Sequence, residues 1–202
     1  MSERGLEDSV GGRAEVLASR PALRGRVLKV DVDLVRLPGG ATCDLEVVRH
    51  PGAAAVVPVL DRNRVVLVRQ YRHATDGWLL EVPAGKLDGD EPPEKCAARE
   101  LEEEVGLRPD GLVDLGWIWP TPGFADEKIW LFLAPDPLPA NQSLEDDEVL
   151  EVVEMDLEEA VSLARSGEIR DAKTALALIR AWDRLRSDGG IATTGGGASS
   201  GV

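Results

Sequence analysis

The hydrophobic positions change period along the chain, and each change marks a predicted element. Leu28, Val30, Val32 and Leu34 alternate with Lys29, Asp31 and Asp33, the period of two expected of a strand with one buried face. Pro38-Gly39-Gly40 predicts a turn, and the alternation resumes at Cys43, Leu45 and Val47, so the two runs predict a hairpin. Residues 53–60 (AAAVVPVL) and 65–71 (VVLVRQY) are almost continuous apolar runs, which predicts two central strands of a second, more buried sheet. Residues 78–82, 112–119, 128–134 and 149–155 are further strand candidates.

From 92 to 105 the period becomes helical. Asp156 followed by Glu159 has the pattern of a helix cap and opens a helix to about Arg165. Asp171 predicts the cap of a last helix ending near Arg186, with Ala175, Leu178, Ile179 and Trp182 on its buried stripe. Strands first, one helix in the middle and helices at the end predict an α+β fold. Residues 1–20 are polar and aperiodic and are expected to be disordered, and 187–202 are expected to form a flexible Gly/Ser-rich tail. That leaves an N-terminal strand region at 21–50 and a main domain at 51–186.

Composition narrows the functions. A chain of 202 residues with 43% hydrophobic content supports one well-packed domain. It holds no apolar run of membrane-span length, and its first residues lack the apolar stretch of a secretory signal, so a cytoplasmic location without a membrane partner is expected. Cys43 and Cys96 are too few and too far apart for a disulfide framework or a cysteine zinc site. His50 and His73, the two histidines, lack a metal-ligand spacing. A net charge of −14, from 37 acidic against 23 basic residues, disfavours nucleic acid as a partner. It still permits a small anionic substrate, because bound divalent cations reverse the field within a pocket.

The 92–105 helix carries the chemistry. Stepping about 100° per residue puts Glu94, Ala97, Ala98, Leu101 and Val105 on one stripe, with Glu100, Glu103 and Glu104 on an adjacent face. Three carboxylates near a helix C-terminus repel one another by a few tenths of a kcal/mol per pair and oppose the helix dipole. A hard divalent cation turns that liability into a site, since Mg²⁺ prefers carboxylate and water oxygens. Taken alone, the glutamates fit a solvated acidic face better than a metal site. The punctuation around them tips the balance: Pro92 and Pro93 suit the helix start, Gly106 its stop, and Gly85 a close backbone approach ahead of it.

Residues 85–107, GKLDGDEPPEKCAARELEEEVGL, resemble the Nudix box, with Gly85, Glu91, Arg99, Glu100, Leu101, Glu103, Glu104, Gly106 and Leu107 at its fixed positions. That resemblance implies an α/β/α sandwich with a mixed central sheet, preceded by antiparallel N-terminal strands. It implies metal-dependent hydrolysis of a nucleoside diphosphate linked to another group. Glu100, Glu103, Glu104 and the Ala84 carbonyl are then the ligands of Mg²⁺ (or Mn²⁺), with Arg99 orienting a neighbouring glutamate and Glu91 supporting the loop.

Three flanking stretches resemble the ADP-ribose pyrophosphatase branch of that family: 68–72 (VRQYR), 78–85 (WLLEVPAG) and 121–127 (TPGFADE). They nominate Arg72, Glu81, Pro122, Gly123 and Phe124 as substrate-binding residues, with Ala125 a departure from the usual serine or threonine. Within the acidic run at 145–148, Glu148 is the first candidate and Asp146 the second for the carboxylate that acts on the attacking water. Trp117, Trp119 and Phe124 are candidates for stacking on a base or for ordinary core and interface positions. The branch also implies a homodimer built through strands at about 24–50. The implied reaction splits ADP-ribose into AMP and ribose 5-phosphate. Alternatives are hydrolysis of other nucleoside diphosphate sugars (GDP-mannose, UDP-glucose) or of dinucleoside polyphosphates, RNA decapping, and a non-catalytic nucleotide-sugar sensor.

Overall fold

The computed structural model describes residues 12–25, 28–144 and 148–187. Contacts divide the chain into two compact units, residues 1–52 with 119–128, and residues 53–118 with 129–202.

The first unit is an antiparallel meander of β1 (Glu15–Arg24), β2 (Lys29–Arg36) and β3 (Thr42–Arg49). β1 starts at Glu15, so residues 15–20 are strand rather than disordered chain. All ten of its residues are exposed, which is why no apolar alternation announced it; the ladder to β2 and the Arg36–Glu15 and Arg24–Asp31 ion pairs hold it. The expected burial pattern of β2 also fails at its centre. Asp33 is buried while Leu34 is 38% exposed, because Asp33 accepts hydrogen bonds from the Ser19 hydroxyl (2.6 Å) and from Arg49. In the same unit the 119–128 segment is tied to the end of β3. Val48 N–H donates to the Phe124 carbonyl (2.8 Å), Asp126 N–H to that of Val48 (3.1 Å), and His50 N–H to Asp126 Oδ1 (2.8 Å).

The second unit is a mixed sheet between helices. Its strands are β4 (Ala53–Leu60), β5 (Arg64–Arg72), β6 (Gly77–Glu81), β7 (Ala84–Lys86), β9 (Val113–Ile118), β10 (Ile129–Pro135) and β12 (Leu150–Asp156). The main path runs β12-β5-β4-β10-β9, with β10 parallel to β4 and the other pairs antiparallel. The short β8 (Leu107–Arg108) and β11 (Leu138–Pro139) pair separately. The helices are α1 (Pro93–Val105), α2 (Leu157–Ser166) and α3 (Ala172–Ser187).

β4 sorts the layers by its period of two. Ala55, Val57 and Val59 face a core shared with α2 and α3, while Ala54 and Val56 face one shared with α1. That alternation produces the α/β/α layering and explains why the run lacks polar positions. Leu101, fully buried against β4, contributes roughly 1.5–3 kcal/mol. The buried stripe of α1 is Cys96, Ala97 and Leu101 together with Glu100 and Glu104; Glu94, expected on it, is exposed in the first turn, where Cys96 is turned inward with its thiol on the Gly85 and Lys86 carbonyls. On α3 the buried positions are Thr174, Ala177, Leu178, Ala181 and Trp182, with Ala175 and Ile179 at the margin. Among the described residues no helix is long and apolar enough to cross a membrane. The expectations for residues 1–11 and 188–202 fall outside the described residues.

One irregularity of the sheet positions the site. β4 and β5 pair only near their shared turn, at Val59↔Val65 and Leu60↔Arg64. Beyond that they separate: β6 continues the ladder on β5, β7 continues it on β4, and Val56 N–H donates to the Pro83 carbonyl (3.0 Å) in the gap. The sheet is forked, and residues 81–85 lie in the fork.

Candidate active site

α1 is aimed at the fork by its ends and its buried stripe. Pro92, extended, precedes Pro93 at the first helical position, and Gly106 ends the helix at φ +67°, a left-handed conformation that favours glycine. With Cys96, Ala97 and Leu101 against the sheet, helical spacing brings Glu100 and Glu104 to the chain leaving the fork. Ala84 N–H donates to Glu104 Oε2 at 3.0 Å. Glu100 lies directly on Gly85, where an added Cβ would stand 1.8 Å from Oε1.

Burial of these two carboxylates perturbs both. Burial pushes Glu104 up to about 8; the like charges of Glu100 and Glu148 add to the rise, and the Ala84 N–H and Arg72 oppose it. Burial pushes Glu100 up to about 7 against the pull of Arg99, with Glu103 and Glu148 reinforcing the rise. Glu148 therefore stands within electrostatic reach of both, whereas Asp146 lies outside the described residues.

Arg99 is the hub of the rest. It donates to Glu91 (Nη2–Oε2 3.0 Å), Glu100 (Nη1–Oε1 2.7 Å), Glu103 (Nη1–Oε2 3.0 Å) and the Lys86 carbonyl (3.2 Å). Its hydrogen bond, outweighing a slight desolvation, holds Glu91 below the usual carboxylate range. Among the described residues no three His, Cys, Asp or Glu side chains form a preformed cation cage. Yet the donors are hard oxygens, and a divalent cation would stabilise the ionised forms that burial disfavours at Glu100 and Glu104. The residues fit such an ion.

The other prong of the fork carries a cation. Arg72, at the end of β5, donates two parallel hydrogen bonds to Glu81, from Nε to Oε1 and from Nη2 to Oε2, both 2.8 Å. Glu81 is only 1% exposed; burial alone would raise it, but Arg72 and Lys173 outweigh that and hold it down at about 2.

A profile of the family described as NUDIX domain matches residues 49–178. The chain is a Nudix hydrolase. This Nudix hydrolase is 40% identical over 166 residues to ADP-ribose pyrophosphatase of Bacillus subtilis (strain 168), covering 81% of this chain and 90% of that protein. It is 40% identical over 167 residues to GDP-mannose pyrophosphatase of Cronobacter sakazakii (strain ATCC BAA-894), covering 74% of this chain and 83% of that one. A crystal structure of an ADP compounds hydrolase superposes with a TM-score of 0.79 at 24% identity, covering 90% of this chain and 98% of the other. That likeness gives the fold.

Within the Nudix unit Arg72, Glu81 and Ala84 lie at the fork and Arg99, Glu100, Glu103 and Glu104 on the helix facing it, with Glu148 near enough for its charge to act on Glu100 and Glu104. Pro122, Gly123 and Phe124 belong to the other unit, in which Phe124 is 59% exposed. Two contributors escaped the sequence reading. Lys173 and Thr174 on α3 meet Glu81 and the Val82 N–H across 92 residues of chain. The 140–143 segment satisfies carbonyls at the end of α1 and on the glycine that caps it: Gln142 Nε2 donates to Glu104 O (2.6 Å), Ser143 N–H to Glu103 O (2.9 Å) and Ala140 N–H to Gly106 O (2.8 Å). Neither has a local signature. Both follow from packing, although the cap at Asp171 placed the first turn of α3 correctly.

Proposed function

We propose that this Nudix hydrolase cleaves the diphosphate bridge of a nucleoside diphosphate sugar, with ADP-ribose the substrate and AMP and ribose 5-phosphate the products. The observation that carries this reading is the buried Glu100–Glu104 pair held against the backbone of residues 84 and 85, opposite an arginine on the other prong. The similarity to ADP-ribose pyrophosphatase over 81% of the chain supports the choice of substrate.

In this proposal Glu100, Glu103, Glu104 and the Ala84 carbonyl would hold Mg²⁺ or Mn²⁺. Such an ion supplies neutralisation of phosphate oxygens and a lowered pKa for water. Arg72, braced by Glu81, binds the diphosphate, and Arg99 keeps Glu100 and Glu103 oriented. A water oxygen bonds to one phosphorus while the bond from that phosphorus to the bridging oxygen breaks. The leaving phosphate keeps the bridging oxygen, and Glu148 accepts the proton that the water loses. Pro122, Gly123 and Phe124 are proposed to contact the remainder of the substrate, and the N-terminal strands to form a homodimer.

The 40% identity to a GDP-mannose pyrophosphatase favours one second reading, in which the same site takes another nucleotide sugar. Hydrolysis of ADP-ribose, ADP-glucose, GDP-mannose and diadenosine polyphosphates, with Mg²⁺ or Mn²⁺ and chromatography of the products, tests both. Release of AMP and ribose 5-phosphate chiefly from ADP-ribose is expected. Preference for GDP-mannose would replace the substrate, and absence of cation-dependent turnover on every compound would leave a non-catalytic sensor.

A further inference from the structure

We infer that Lys173, on the first turn of α3, is a positioning residue that sets both the orientation and the net charge of the Arg72 clamp. This rests on the reading of Arg72 as a diphosphate ligand and extends it to an element 92 residues from Glu81 in sequence.

The geometry is a carboxylate shared between two cations. Glu81 Oε1 accepts from Arg72 Nε, while Oε2 accepts from both Arg72 Nη2 and Lys173 Nζ. Lys173 is itself held from behind by Asp171 Oδ2 at 2.9 Å. The same Asp171 oxygen accepts from the Thr174 hydroxyl (2.6 Å) and the Thr174 N–H (3.0 Å). That hydroxyl oxygen in turn accepts the Val82 N–H at 2.9 Å. The first turn of α3 thus grips residues 81 and 82 by side chain and backbone together. The side chains of Lys173 and Glu81 are 13% and 2% exposed, so water screens this contact poorly.

The lysine also balances the charge of the clamp. Arg72 and Lys173 contribute two positive charges and Glu81 and Asp171 two negative ones, so the group is neutral around the guanidinium. Without Lys173 the same group carries one net negative charge beside the arginine that is to receive an anion. Glu81 would then be neutralised by Arg72 alone, and Arg72 would present less attraction to phosphate. Arg72→Ala removes the phosphate contact itself, whereas a change at Lys173 weakens it through the field and through the freedom gained by Glu81.

The test uses the full-length enzyme with the substrate that the panel identifies. Lys173→Met keeps the aliphatic stem and removes the charge. Its KM for the nucleotide sugar should rise on the order of tenfold, the effect of one charge step near the bound anion, with kcat within about threefold of wild type. Lys173→Arg should restore most of the loss, a rescue that a purely structural role would not require. Should Lys173→Met fail to fold, Lys173→Gln, a neutral amide donor, must show the same rise in KM. Wild-type KM in a folded neutral variant overturns the inference, provided Arg72→Ala raises KM in parallel. If Arg72→Ala leaves KM unchanged, the phosphate role of Arg72 falls, and the inference falls with it.

Discussion

Gly85→Ala probes the assembly of the carboxylate pair with a single methyl group. An added Cβ would lie 1.8 Å from Glu100 Oε1, 2.1 Å from Cδ and 2.6 Å from Oε2. Ordinary contact begins near 3.4 Å, so Oε1 must retreat by about 1.6 Å (3.4 − 1.8). The residue that yields is the far end of a flexible side chain, and Gly85 is not among the glycines with positive φ, so alanine fits its backbone. The fold should therefore barely change: the stiffer unfolded chain gains about 0.4–1 kcal/mol, which offsets the modest cost of repacking one carboxylate. Turnover should not survive as well, because displacing a reacting group by about 1 Å costs on the order of 100-fold. The assay is kcat at saturating nucleotide sugar and cation, paired with a thermal melt of the same preparation. A folded variant with kcat within about threefold of wild type would refute the placement of Glu100 in the machinery. A fall in melting temperature of more than about 10 °C would show that Gly85 serves the fold instead.

Two further expectations concern stability. Glu100 and Glu104 have folded-state values of about 7 and about 8, above their ordinary 4.5, so their neutral forms suit the fold. In chelator the protein should accordingly be most stable below about pH 4.5 as far as these two groups are concerned, and lose that contribution as pH rises through 7 and 8. Melting temperatures measured in chelator across that range, and again with Mg²⁺ at pH 8, check this; a flat profile would remove the buried-charge argument. Glu104→Gln, neutral at every pH, should remove the share of the profile lost near pH 8 and leave that of Glu100, while lowering kcat by at least about 100-fold. Separately, Asp156→Ala removes the acceptor for Glu158 N–H (2.8 Å) and Glu159 N–H (3.1 Å) at the start of α2. It should cost about 1 kcal/mol in denaturant unfolding, with KM and kcat unchanged; loss of activity would place α2 closer to the chemistry than the structure does.

Features encoded by local spacing could be read from the sequence, and those created by tertiary contact could not. Glu100, Glu103, Glu104 and Arg99 lie within five residues of one another on one helix, so their relation follows from helical period alone. The caps at Asp156 and Asp171 are equally local. Lys173 and Gln142 had no such signal, because each acquires meaning only from a partner tens of residues away. Asp33 misled the alternation rule because Ser19 and Arg49, from the two neighbouring strands, make its burial tolerable. β1 was missed for the opposite reason: a strand with no buried face needs no apolar alternation, and its Val16, Leu17 and Leu23 are all exposed. On α1 the ideal wheel placed Glu94 on the stripe and gave Cys96 no place there, whereas Cys96 is buried because its thiol meets the Gly85 and Lys86 carbonyls, a tertiary contact that the wheel does not contain.

The fork in the sheet works as a gauge. Glu81 is registered to Val68 on β5 and Ala84 to Ala55 on β4, and only Val82 and Pro83 lie between them. Both spacer residues are fastened, Val82 N–H to Thr174 and the Pro83 carbonyl to Val56. The span from the arginine prong to the glutamate helix is therefore fixed by a count of two residues and by ladder register, with side-chain packing secondary. Mutational tolerance should divide accordingly: substitutions that keep the count can tune this span. A single inserted or deleted residue shifts one prong by a full register step, and because strand faces alternate it turns Glu81 or Ala84 away from its partner.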